Sequence, residues 1–97
     1  MSKEMIDRKF KFVAVNPCNQ KVYTEENAVV FCAKDEAFLD ILPKYLEACE
    51  RRGSNPEHLE SILLLTGRVA QYQEFVESKV PDTDLDCEID RCIGGNV

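Results

Sequence analysis

The chain has 97 residues, 44% of them apolar and 31% charged, with a formal net charge of −6. These values describe one small acidic domain, neither disordered nor membranous in composition. The longest apolar runs, residues 28–33 and 62–65, fall far short of the roughly 20 residues of a spanning helix, and MSKEMIDRKFKF lacks a secretory apolar core, so neither membrane insertion nor secretion is expected.

Charge is unevenly divided. Residues 1–53 carry nine Lys/Arg and nine Asp/Glu, whereas residues 54–97 carry three and nine. Nucleic-acid affinity usually comes from a basic stripe that neutralises phosphates. Only Arg8, Lys9 and Lys11, and the pair Arg51–Arg52, stand out as small basic groups. Direct DNA or RNA binding is therefore not expected. The acidic half suits a basic protein partner instead, or imitation of a nucleic acid.

Phe10–Val15 reads as a strand, rich in aromatic and β-branched residues. Pro17 with Asn16 and Asn19 is turn chemistry, and Lys21–Tyr23 returns as a second strand to complete a β-hairpin. The stretch 24–35 is ambiguous. Thr24 as cap, Glu25 and Glu26 early and Lys34 late favour a short buried helix. A buried third strand at 28–33 is the alternative.

Asp35 is a cap for the next helix, whose apolar face is Phe38, Leu42, Tyr45, Leu46 and Cys49. Asp40–Lys44 and Glu47–Arg51 are spaced as i,i+4 ion pairs. Pro43 predicts a kink or a start near residues 40–43, and Gly53 the end. Asn55-Pro56 is a cap followed by an N1 proline. It opens a helix expected to run to about Ser78, before Val80-Pro81. Its main face is Leu59, Ile62, Leu63, Thr66, Val69, Ala70, Gln73 and Val76. The short connection makes the two helices antiparallel neighbours. The C-terminal stretch has Thr83 as cap, acids early, Arg91 late and Gly94 at the end, so helix is preferred to strand.

The fold class is thus α+β. An N-terminal β-hairpin, with a third strand as an option, packs on an antiparallel helical hairpin. Residues 1–80 form one compact domain, and 81–97 an acidic C-terminal tail that is either a short helix or extended. The expected core is Phe38, Leu42, Tyr45, Leu59, Ile62, Leu63 and Val69, buried where the two hairpins meet.

Chemistry-bearing motifs are sparse. Asp82, Asp84, Asp86, Glu88 and Asp90 alternate like a calcium loop. Its turn glycine and closing glutamate are replaced by Cys87 and Ile93, so a solvated acidic run is the better reading. Five cysteines, Cys18, Cys32, Cys49, Cys87 and Cys92, make an odd count, which fits reduced thiols in a cytoplasm. Cys32 and Cys49 sit in apolar patterns. His58 is the single histidine, and no spacing pairs it with Cys18 or Cys49 as a nucleophile. Phosphate-loop, dinucleotide and hydrolase signatures are lacking. Gly94-Gly95 reads as a helix stop before an anion-binding turn. No cofactor, metal or catalysis is expected.

Two functional readings remain. Leu64, Arg68 and Phe75 form a second stripe on the helix that follows Pro56, within about 40° of one another, with Gln71 at the margin. That stripe points to a non-catalytic interaction protein, a homo-oligomer or an inhibitor or regulator of a larger partner, a nucleic-acid-binding one being an option. The alternative is a small-ligand or nucleotide-sequestering protein with a site at a subunit interface. Arg68, Gln71, Tyr72, Arg51, Arg52 and Arg91 would then supply the phosphate and base contacts.

Overall fold

The protein is described by a computed structural model covering residues 4–94. The architecture is α+β, with β1 (Val13–Val15) and β2 (Val22–Thr24) followed by α1 (Glu36–Arg51), α2 (Pro56–Phe75) and α3 (Asp86–Ile93). Contacts divide the chain into two compact units. One is Phe31–Pro81; the other joins the residues up to Val30 with those from Asp82 on. Among the described residues, no helix is long and apolar enough to cross a membrane.

In the first unit α1 packs on α2. The Asp35 side chain accepts from the Phe38 amide at 3.0 Å, as its cap position predicts. The helix starts at Glu36 and continues through Pro43. Of the expected kink or start near 40–43, the start is corrected: the Asp35 cap settles the N-terminus, and the proline leaves the Leu39 carbonyl without its usual donor. Gly53, at φ +86°, takes the left-handed conformation that ends the helix. Asn55 Oδ1 accepts from the His58 amide at 3.1 Å and opens α2.

Among the described residues Leu42, Cys49, Ile62 and Val69 are the buried apolar ones, and all lie on α1 and α2. With half-buried Leu39, Leu46, Leu59, Thr66 and Gln73, they recur every three or four residues on each helix. Two members of the expected core are corrected. Leu63 is 58% exposed, about 90° round α2 from the packed row, and Tyr45 is likewise exposed beside the row of α1. One row per helix saturates a two-helix contact, so the flanking positions face outward.

The ends of this unit are tied by polar bonds. The Gln73 amide donates to the carbonyls of Ala33 (2.9 Å) and Asp35 (2.8 Å). Lys79 donates its amide to the Lys34 carbonyl at 2.8 Å, and its own carbonyl accepts from Glu36 at 3.1 Å. This parallel bridge requires extended backbone at Lys79, so α2 ends at Phe75, before the expected Ser78. Phe31 stacks on Phe38 with centroids 5.1 Å apart. Lys44 pairs with Glu47 at 3.7 Å, and neither expected i,i+4 pair forms among the described residues.

The second unit is built around a side chain. β1 and β2 pair antiparallel, with Val13 opposite Thr24 and Val15 opposite Val22. Asn16 Oδ1 accepts from Cys18 and Asn19 Oδ1 from Lys21, both at 2.9 Å, and Gln20 sits at φ +63°. These bonds close the hairpin. The first strand is shorter than expected. Phe12 gives its amide to Glu25 Oε1 at 3.2 Å, and Lys9 and Phe10 give theirs to Asp7 Oδ1 at 2.9 Å. No amide from these residues is left for a longer ladder.

Neither expectation for residues 24–33 holds. One helical turn does begin: Thr24 Oγ1 accepts from Glu26 at 3.2 Å, and the Ala28 amide reaches the Thr24 carbonyl at 2.9 Å. The next carbonyl, Glu25, is taken by the amides of Ile6 and Asp7 at 2.9 and 3.0 Å. The Val30 amide goes to Asp7 Oδ2 at 2.9 Å. With acceptor and donor both claimed by the N-terminal segment, the helix cannot propagate, and residues 28–32 are irregular.

α3 starts after Leu85, two residues beyond the expected Thr83 cap. Glu88 Oε1 accepts from the Leu85 amide at 3.3 Å. Lys9 reaches both the Asp82 carbonyl and Glu88, the latter at 3.4 Å, and Arg91 donates to the Arg8 carbonyl at 3.0 Å. Gly94 closes the helix; Gly95, its expected companion in a glycine turn, lies outside the described residues.

Candidate functional site

The side of α2 opposite its packed row carries apolar residues that the α1–α2 contact does not use. Asn55 and Pro56 fix where the helix begins, and the buried pair Ile62 and Val69 fixes its rotation against α1. That rotation sends Leu64, Arg68, Gln71 and Phe75 to the far side. All four are exposed, Leu64 at 57% and Phe75 at 76%. Glu57 and Glu60 lie within about 40° of the same line. Among the described residues Arg68, Glu57 and Glu60 form no ion pair.

Gly67 stands midway along this surface, at its edge, about 70° round the helix from its centre line. A Cβ built there would meet nothing within 4 Å. The position is helical, so no turn calls for glycine, and a mid-helix glycine costs about 1 kcal/mol relative to alanine. The chain's own packing supplies no reason for it. Close approach of another backbone would.

The residues proposed for a small ligand are distributed otherwise. Arg68, Gln71 and Tyr72 share one patch of α2. Arg51 and Arg52 end α1 at the interhelical turn, while Arg68 lies about 18 Å along α2 from Pro56. Arg91 belongs to the other unit, where its guanidinium is bound to the Arg8 carbonyl. The shallow groove lined by Lys11, Phe12, Val13, Thr24, Glu25 and Glu26 contains none of these six.

Comparisons with protein-family models, curated proteins and solved structures return no match. The site therefore rests on geometry alone.

The cysteines are free: Cys18 and Cys87 exposed, Cys32 and Cys92 half-buried, Cys49 buried between the helices. The Cys49 thiol raises the Tyr45 phenol above its ordinary value, first by hydrogen bonding and then by charge. His58 is exposed in the first turn of α2. Among the described residues no three His, Cys, Asp or Glu side chains gather as a metal site.

Two residues escaped the sequence reading. Gly67 was detectable, as a glycine with no turn residue near it inside a long helical pattern. Asp7 had only a weak local signal, the tendency of an aspartate to accept from amides two and three residues ahead. Nothing in the sequence announces its third donor, Val30.

Proposed function

We propose that the chain is a non-catalytic interaction protein that works as a homo-oligomer, with the outer face of α2 as its contact surface. The observation that carries this reading is the unsupported apolar pair Leu64 and Phe75, set on either side of Gly67 on a well-capped helix. Single exposed apolar residues are ordinary. Two on one line, with an unpaired arginine between them and a glycine at the edge, describe the core and rim of a contact. A regulatory or inhibitory role toward a larger basic partner fits the acidic half of the chain. Five free thiols fit a reducing cytoplasm.

Sedimentation of wild type and Phe75→Asp tests the reading. Phe75 lies outside the packed row, so the variant keeps its helical content and thermal midpoint while its mass falls to that of a monomer. Wild-type chain that is monomeric at several hundred micromolar overturns the proposal.

A further inference from the structure

The reading above names a surface; the charges on it select the partner. Arg68 is the single basic residue of α2, and Glu57 and Glu60 precede it on the same side. A parallel pair of α2 helices would place like beside like, Arg68 against Arg68 and Glu60 against Glu60. An antiparallel pair in two-fold symmetry places each residue opposite one at a reflected position.

We infer that the occupant of this surface is the α2 helix of a second copy, antiparallel, with the two-fold axis at Leu64. This assignment rests on the self-association reading and adds its register. Reflection about residue 64 sets Leu64 on its own counterpart. Arg68 then faces Glu60 of the second copy, and Gln71 faces Glu57. Each pair occurs twice. Gly67 and Ser61 flank this contact, about 60° to either side of the Leu64 line. A 20-residue helix is about 30 Å long, and one such pair buries on the order of 1,000 Å², the low end for a specific interface. The dimer is accordingly a concentration-dependent one.

A charge swap decides the register. Arg68→Glu and Glu60→Arg are each made singly, together, and as an equimolar mixture of the two single variants, and read by sedimentation equilibrium and native mass spectrometry. Circular dichroism confirms that each variant remains helical. Each single variant should dimerise at least about tenfold more weakly than wild type, through two like-charge contacts. The mixture should form a heterodimer in excess of the statistical share, because at positions 60 and 68 one chain then presents two acids and the other two bases. The double variant should recover wild-type dimerisation. Single variants that dimerise like wild type, or a statistical mixture, overturn the register. Loss of the dimer in Phe75→Asp alone, beside those outcomes, leaves self-association through this face standing. A monomeric wild type removes both.

Discussion

The Val30 amide donates to Oδ2 of Asp7 at 2.9 Å, joining two residues 23 positions apart. The other oxygen of the same carboxylate accepts from Lys9 and Phe10. Asp7, 6% exposed, is the one buried residue among those described in its unit. A small unit with no buried apolar residue is therefore organised by a charged acceptor with three amide donors. Burying a carboxylate is costly, and hydrogen bonding to charge is what offsets it.

Asp7→Asn should loosen this unit selectively. The amide keeps one acceptor oxygen but turns a donor toward one of the three N–H groups, leaving that donor unsatisfied at a cost of about 1–3 kcal/mol. Hydrogen exchange should accelerate at Val30 and Phe10, with little change at Ile62 and Val69. Equal acceleration in α2 would contradict the independence of the two hydrogen-bond systems.

Acid should act at the same place. Burial alone would raise the Asp7 pKa; the Phe10, Val30 and Lys9 amides, with Arg91 nearby, outweigh it and hold the carboxyl below its ordinary value of 3.8. Glu25 is held low as well, by its own amide, then by that of Phe12. A depressed folded-state pKa means that the unfolded chain binds protons first. The stabilisation is complete above the ordinary carboxylate value and is lost as pH falls through the folded value. Urea midpoints of wild type and Asp7→Asn should differ at neutral pH and converge in that acid range. A gap that persists or widens on acidification would refute the assignment.

The row that packs α1 on α2 is testable by contrast between neighbours. Ile62→Ala removes a buried side chain and should cost about 2–5 kcal/mol. Leu63→Ala, one residue on but outward, should cost less than about 1 kcal/mol. Denaturant titration of the pair reads the helix rotation directly. Equal costs would mean that both positions are packed.

Gln73 belongs to the same row but contributes through its amide. Gln73→Leu should destabilise by about 1–2 kcal/mol, because the Ala33 carbonyl loses its donor and the Asp35 carbonyl keeps only the Leu39 amide, while the aliphatic volume is kept. A neutral result would show that water replaces the amide fully.

The helical hairpin was legible in the sequence because its signals are local. Asp35, Gly53, Asn55 and Pro56 act within a few residues of themselves, and the three-and-four spacing of Leu42, Cys49, Ile62 and Val69 repeats along a single helix. The same holds for the α2 stripe of Leu64, Arg68 and Phe75, a surface that periodicity alone marks out. What periodicity left open was rotation. Leu63 and Ile62 are equally apolar, and only the approach of α1 chose between them.

The segment after Thr24 shows where local signals stop. Its cap and first turn form as its residues direct, and the helix then fails because Ile6 and Asp7 take the Glu25 carbonyl while Asp7 takes the Val30 amide. Those partners are near in space and far in sequence. By itself the sequence determined which stretches have an intrinsic helical or strand period and where capping residues begin and end them, since those energies arise within one or two turns of chain. Tertiary structure alone decided which face of each helix is covered, since that depends on where the other helix packs, and it alone decided how far the turn at Thr24 propagates and that Asp7 is buried, since these depend on which distant groups claim a donor or acceptor.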